Sequence, residues 1–463
     1  MFRSLNILLC FSYLALLVPA SVVHGEDRIH PSSRNPFYWE YKGENVLLVG
    51  GSVEDNLFQI PDLQSHLDEI KSVGANYIRN TMSDRHDEGY EVYPYAQGKN
   101  GKYDLESWNE EYWTRFENML KWTAERDIIV QIELWDRFDY STKYWPPNPY
   151  NPVNNVNYNE AESGLAKVYP RHPGTNEQPF FFTTPKQRDN NVVLKYQRKF
   201  VDKILSHTLK YGHVLYCIDN ETNGEEAWST YWAEYIRAAA AQADRSVCIT
   251  EMWDDWNLSG PHHQRTIAHP ERYDFIDVSQ NNHQKGQKHW DNFQSLRSTL
   301  LKQPRPINTV KTYGADNNKF GHTSQDGVSR LWRHIVGGAA SARFHRPDSG
   351  LGLSDPAKGA IKACRKLETL VALWDLTPGN QKLSNRGEDE AYLAAQGDKV
   401  FVVYFPQGGS VDLAVANPDR TWTIKWINID TGEWGPTDKQ NTKGRAEVSL
   451  KAPGKGNWCA VVK

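Results

Sequence analysis

The stretch His213–Glu221 reads HVLYCIDNE. It is an apolar run that ends in three polar residues. Such a run predicts a strand buried on both faces, as in a parallel sheet covered by helices. Counting in twos, Leu215, Cys217, Asp219 and Glu221 share one face, and Val214, Tyr216 and Ile218 share the other. Seven similar runs flank it: Val46–Gly51, Asn76–Thr81, Ile128–Trp135, Ser246–Glu251, Asp274–Gln280, Pro306–Thr312 and Ala342–Arg346. Helical periodicity fills most of the gaps. Leu63, Leu67 and Ile70 share a face in Asp62–Val73, Tyr112, Phe116, Met119 and Leu120 recur in Trp108–Arg126, and Phe200, Ile204 and Leu205 in Tyr196–Tyr211. Eight strands alternating with helices predict an α/β fold, a (β/α)8 TIM barrel. An open doubly wound sheet is the alternative, but no glycine-rich phosphate loop follows the first strand.

Past Trp374 the pattern changes. Val400–Phe405, Trp422–Ile429, Ala446–Leu450 and Trp458–Val462 read as strands, with a turn at Asp430-Thr431-Gly432 and no helical period. The expected division is a signal peptide over 1–25, a barrel over 26–380 and a C-terminal β-sandwich domain over 381–463. The signal peptide rests on Arg3, the apolar run Ile7–Leu17, and Val23 and Gly25 before a cut. It predicts a secreted or periplasmic protein with no membrane association once the segment is removed. The long segment Arg137–Asn191, rich in Asn, Pro and Tyr, follows the third strand and reads either as a cleft wall or as packing on the barrel.

Composition bounds the function. The chain has 463 residues, Lys+Arg 53 against Asp+Glu 57, and 17 Trp. A near-balanced charge argues against a nucleic-acid partner, and a mean hydropathy of −0.69 against a multi-span membrane protein. After Cys10, the four cysteines Cys217, Cys248, Cys364 and Cys459 are scattered, so they read as small buried hydrophobes. No HExxH or GxSxG is present; neither a metal nor a cofactor is expected. Oligomeric state is not legible.

In such a barrel the site lies at the C-terminal strand ends. Glu221 stands there beside Asn220, and burial there would raise its pKa and suit it to donate a proton. An Asn-Glu pair after the fourth strand resembles the acid/base motif of retaining (β/α)8 glycoside hydrolases. The phrases FYWEYKG (37–43), LLVGG (47–51), NYIRN (76–80) and ELWDRFDY (133–140), with the C-terminal β-domain, resemble the apiosidase-like branch and its collagen-binding-type domain. That resemblance implies a carbohydrate substrate and a second glutamate, the nucleophile, ending the seventh strand. Here that strand reads PINTVKTY (306–313), with Lys311 in that place.

A partner carboxylate for Glu221 must then come from elsewhere. Glu251, ending the fifth strand with Val247 and Ile249 on its face, is the first candidate and Asp136 the second; Asp254 and Asp255 follow. Asn220, Arg79, Trp135, Trp253, Asp254, His283, Lys311, Tyr313, Arg343 and His345 are expected to line a sugar subsite. The basic groups suit an anionic sugar, or else neutralise the carboxylates. The reading is a glycoside hydrolase. A carbohydrate-binding barrel that lost its nucleophile, and a uronate lyase using Lys311 or His345 as base, are the alternatives.

Overall fold

The computed structural model describes residues 27–83, 85–86, 88–316 and 321–463. The expected signal segment lies outside the described residues. Eight strands and eight helices alternate: β1 Leu48–Gly51, α1 Leu63–Ser72, β2 Tyr77–Thr81, α2 Glu110–Ala124, β3 Ile129–Asp136, α3 Asn191–Thr208, β4 Val214–Asn220, α4 Glu226–Gln242, β5 Ile249–Thr250, α5 Pro261–Ile267, β6 Ile276–Asp277, α6 Gly286–Thr299, β7 Ile307–Asn308, α7 Ser324–Val336, β8 Ser341–Phe344 and α8 Asp355–Glu368. Ladders join β2 to β3, β3 to β4, β4 to β5, β6 to β7 and β8 to β1, all parallel. Backbone bonds outside the ladders carry the remaining contacts: Asn76 N–H to Val49 O, Asp274 N–H to Ile249 O, and, between the β7 and β8 segments, Ala340 N–H to Ile307 O, Arg343 N–H to Thr309 O and Thr312 N–H to Arg343 O. Together they run a full circuit.

All eight predicted strands are present, although β5, β6 and β7 keep only two residues each. Helix α3 starts five residues earlier than the periodicity suggests, because the Asn190 side chain accepts a bond from Val193 N–H and caps it there. Inside the ring, Leu48, Tyr77, Ile129, Leu215, Cys217, Cys248 and Val310 form one core. A short antiparallel sheet of His30–Pro31, Trp39–Tyr41 and Glu44–Val46 closes the lower end, with the buried Trp39 indole donating to Asn308 Oδ1 (2.9 Å). Backbones approach closely at the ring: a methyl group on Gly50 would sit 1.9 Å from Tyr77 O. The other strand faces pack against the helices in a much larger core.

The C-terminal region forms a six-stranded sheet, in spatial order 377–378, 392–396, 400–405, 458–462, 421–428, 433–441, and a three-stranded sheet, 383–384, 410–414, 447–451. Phe401, Trp422 and Trp426 of the first meet Leu413 and Leu450 of the second in a shared core. The opposite face of the larger sheet joins the barrel's outer core through Tyr392, Tyr404, Ile427 and Cys459. Trp332 of α7 lies 5.9 Å from the Tyr404 ring. Gly359 of α8 abuts the Asp430 turn, where a Cβ would meet Asp430 O at 2.2 Å. The four described cysteines are free and buried. Among the described residues no helix is long and apolar enough to cross a membrane.

Candidate active site

The alternation of β4 breaks near its end. Leu215 and Cys217 face the ring, while Val214, Tyr216 and Ile218 face the helices. Asp219, expected inward, instead takes bonds from Trp228 Nε1 of α4 (3.3 Å) and pairs with Arg137 (3.3 Å). Asn220 turns inward in its place. Its Oδ1 accepts from Arg79 Nη2 at 2.9 Å and Lys311 Nζ at 2.5 Å. Glu221 follows with a left-handed backbone (φ 45°). A non-glycine residue held there is strained, and such strain concentrates at functional sites.

Glu221 reaches the mouth of the barrel with its side chain 17% exposed. Its Oε1 accepts from Gln280 Nε2 (2.6 Å) and from the Tyr313 hydroxyl, and Lys311 Nζ lies 2.8 Å away. Burial pushes this carboxyl up, but the Lys311 ammonium and the bonds from Lys311 and Tyr313 overcome it and hold Glu221 well below the ordinary carboxylate range. The raised proton affinity expected from burial is therefore not what its surroundings produce. Burial, opposed in part by Glu221, lowers Lys311. The same burial, with Glu221's charge, raises the Tyr313 phenol.

Asp254 stands close by on the loop after β5. It is exposed at the rim and anchored by its N–H to Thr222 O (2.8 Å). Surrounding protein and then the Glu221 charge raise its carboxyl, against the pull of Lys311 and His172. The two carboxyl groups are thus pushed in opposite directions. His283, exposed on the β6 side, tilts against the Tyr313 ring at 5.1 Å, and His345 meets that ring edge-on at 5.4 Å. Burial lowers His345 to about 3.

Several expected site residues lie elsewhere. Glu251 does share a face with Val247 and Ile249, but that face packs against the helices, while Cys248 and Met252 face the ring. The Glu251 carboxyl is 1% exposed, accepting from Asp219 N–H (2.9 Å) and from Ser229 (2.6 Å). Burial and the neighbouring Asp219 raise it well above its ordinary range. It is a buried brace between β4, β5 and α4. Trp135 also points outward, among Phe180, Phe200, Trp228 and Trp232, rather than at a sugar. Trp253 is buried beneath His262 and Arg265.

Arg79 is fully buried between Asp55 (2.6 Å) and Glu133 (2.7 Å). Arg343 is equally buried, donating to Ser52 and to Val310 O (2.8 Å). Both neutralise barrel carboxylates rather than offering guanidinium groups to a ligand. Asp136 is buried, accepting from Phe138 N–H (3.1 Å) and pairing with Arg85.

Sequence reasoning passed over Asp55, Gln280, Arg85, Phe138 and His172. Gln280 ends a predicted strand and Asp55 lies four residues past another, the signal that selected Glu221. The other three gather by chain crossing: Arg85 lies over the rings of Phe138 (5.4 Å) and Tyr144 (5.6 Å), and Phe138 meets His172 at 5.2 Å. The long loop after β3 therefore does both expected jobs. Trp145, Tyr150, Phe180 and Phe181 pack in the core, while Phe138 and His172 stand at the cleft. A separate cavity of about 770 Å³, lined by Glu54, His66, Tyr90 and Arg346 among others, opens between the loops after β1 and β8 and does not include Glu221. Among the described residues no cluster of three or more His, Cys, Asp or Glu is placed to hold a metal.

No family model and no curated protein matches the sequence. The similarity is to solved structures. A glycoside hydrolase family 5 protein from Bacteroides vulgatus ATCC 8482 superposes with a TM-score of 0.62 at 11% identity, over 94% of this chain and 93% of that one. A second structure, described as a glycoside hydrolase, superposes with a TM-score of 0.62 at 11% identity, over 94% and 97%. At that identity the likeness establishes the fold, a (β/α)8 barrel followed by a sheet-rich C-terminal region, as in these glycoside hydrolase neighbours.

Proposed function

We propose that this chain cleaves glycosidic bonds at the upper end of its barrel, with Glu221 and Asp254 as the working carboxyl pair. The observation that carries the reading is the placement of Glu221 at the barrel mouth, on a strained backbone and held by Lys311 Nζ (2.8 Å) and Gln280 Nε2 (2.6 Å), with Asp254 exposed on the adjoining loop; the opposite directions in which the two carboxyls are pushed divide the roles between them. Glu221, held ionised by Lys311 and Tyr313, is suited to act as nucleophile or base, or to stabilise positive charge at the anomeric carbon. Asp254, raised by its surroundings and by Glu221, is suited to protonate the leaving oxygen. Pairs of carboxyls driven apart in this way divide acid and base work in glycoside hydrolysis. Phe138 and His172 on one side, and His283 on the other, wall the cleft. The substrate is a neutral sugar on this reading, because Arg79 and Arg343 are consumed by Asp55, Glu133 and Ser52. Export and the apiosidase-like subtype belong to the same proposal and rest on the sequence patterns alone.

The test is release of reducing ends from a panel of neutral, uronic and sulfated glycans by wild type, Glu221→Gln and Asp254→Asn. Release by wild type that falls at least a hundredfold in each variant supports the pair. Unchanged release in Asp254→Asn removes Asp254 from the chemistry. The anomer formed first reads out the carboxyl separation: about 5–5.5 Å gives retention, about 6.5–9.5 Å inversion. The Lys311–Glu221 ion pair favours one second reading, a barrel that binds sugar without cleaving it. Binding by wild type and Glu221→Gln alike, with no release, would select it.

A further inference from the structure

Two residues past Asp254, the chain carries Trp256 with its indole 54% exposed. An exposed indole next to a cleft is a costly surface to keep, since large aromatic side chains are normally buried or in use. Its backbone is not loose. Asp255 O accepts from His263 Nε2 (2.8 Å), Trp256 O accepts from Asn292 Nδ2 (3.0 Å), and the neighbouring Leu258 is fully buried. The ring is presented by a pinned loop.

Beside it lies a cavity of about 340 Å³, lined by Trp256, Gln284, Gln287, Lys288, Asp291, Asn292 and Glu388. That volume is within the range of small-ligand sites. The polar groups are positioned in advance. Gln287 is held between Asp291 Oδ1 (2.7 Å) and Arg386 (2.5 Å), and Asn292 is fixed to Asn281 Oδ1 (2.7 Å). Lys288 Nζ stands 5.5 Å from the indole centroid. Arg386 and Glu388 come from the loop between strands 383–384 and 392–396 of the C-terminal sheets, so the groove spans both parts of the chain. It adjoins the catalytic mouth twice: Trp256 follows Asp254, and Gln284 follows His283, whose ring leans on Tyr313.

We propose that this groove is a distal carbohydrate subsite, which grips the part of an oligosaccharide remote from the bond at Glu221. One aromatic face with amide, ammonium and carboxylate groups around it matches the chemistry of a sugar ring, with apolar C–H faces and a rim of hydroxyls. The inference rests on the carbohydrate reading above. It assigns a structural role to the C-terminal segment: it completes a binding surface while its larger sheet packs on the barrel.

The test uses the full chain and manno- and cello-oligosaccharides from disaccharide to hexasaccharide. Binding is measured by calorimetry in Glu221→Gln, with and without Trp256→Ala, and cleavage in wild type against Trp256→Ala. The exposed position of Trp256 lets the alanine variant fold, which its melting curve checks. The expected result is about a tenfold loss of affinity for penta- and hexasaccharides, ~1.4 kcal/mol, with disaccharides unaffected and Trp256→Tyr intermediate. Cleavage by wild type that Trp256→Ala leaves unchanged at every length overturns the subsite and keeps the glycosidase. Long-chain binding that depends on Trp256, without cleavage, keeps the subsite and removes the glycosidase. Absence of both binding and cleavage overturns the two together.

Discussion

Replacing Lys311 by methionine tests the electrostatics at the barrel mouth directly. At 2.8 Å from Glu221 Oε1, the ammonium contributes a gross attraction of about 6 kcal/mol at an effective dielectric of 20. Desolvation offsets much of it. With the Glu221 side chain 17% exposed, the net loss on breaking the pair is about 3 kcal/mol, the low end for a buried pair. This loss depends on pH with a definite sign. In the wild type the folded-state pKa of Glu221 is depressed, so its stabilisation is present above the unfolded glutamate value of about 4.3 and is lost only as pH falls through the folded value. Without Lys311, burial acts on Glu221 against Tyr313 and Gln280 alone, and the folded pKa rises. The variant then loses stability as pH climbs past about 4.3. Urea denaturation should therefore show a wild-type advantage that is already present at pH 4.5 and reaches about 3 kcal/mol by pH 7, the increment above about 4.3 coming from the variant's raised folded pKa with a limiting slope of ~1.4 kcal/mol per pH unit. A constant deficit from the lost bond to Asn220 adds at every pH. Adding Glu221→Gln to Lys311→Met should recover most of the pH-dependent part. A deficit identical at pH 4.5 and pH 7, undiminished in the double variant, would refute the ion-pair account.

Asp277, buried in the ring with its carboxyl pushed up to about 7 by burial, has an opposite linkage. Its raised folded pKa removes stability as pH rises from about 4 to about 7, so Asp277→Asn should gain on wild type across that window, by up to about 4 kcal/mol, and stay level above it. Chemical denaturation at several pH values checks this, and a flat difference would contradict it. Glu251→Gln should keep both fold and activity, because an amide can still accept from Asp219 N–H and donate to Ser229, whereas Glu251→Ala should cost about 2 kcal/mol by stranding those groups. A folded Glu251→Gln variant with no activity would return Glu251 to the chemistry. Gly50→Ala should destabilise by about 3 kcal/mol, since its methyl has no room beside Tyr77 O. A melting temperature equal to wild type would mean the β1–β2 contact gives way more easily than the geometry implies.

The strands and most helices were legible because each leaves a local mark: a short apolar run, or a 3.6-residue period. Phase along the strands was not. In a ring covered by helices both faces are buried, so hydrophobicity does not say which face is which. Val247 and Ile249 are apolar on either assignment, and reading them as inward carried Glu251 with them into the site. At β4 a break in alternation near Ile218 moved Asp219 out and Asn220 in, and β3 does the same at Trp135. Glu221 still reached the mouth because the left-handed turn at that residue, which no sequence pattern marks, redirects it. The Lys311 contact joins residues 90 positions apart in strands that are not neighbours, so only the closed ring brings them together. Asp254 stood in the sequence only behind Glu251 and Asp136 as a partner carboxylate, and as a binding group, because its tuning depends on the charge of a residue on another strand.

The charges at the ring centre explain why Lys311 matters beyond one ion pair. Arg79, Arg343 and Lys311 face Asp55, Glu133 and Glu221, while burial keeps His345 neutral at ordinary pH. Cations and anions balance, so the floor of the cleft carries no surplus charge to attract a uronate or sulfate. Were a second carboxylate in place of Lys311, its repulsion would raise Glu221 or itself and let one of the two hold a proton. With a lysine there, the charge on Glu221 is fixed negative and the proton must be held by another group. Asp254 is raised in part because Glu221 stays ionised. On the proposed reading, then, Lys311, just past β7, keeps Glu221 ionised and leaves the acid's work to Asp254 on the loop after β5. Glu221→Gln should accordingly lower the pKa of Asp254, whereas Lys311→Met, which removes a cation that pulls it down, should raise it while Glu221 stays ionised. A carboxyl titration of Asp254 that is unmoved in both variants would break this link.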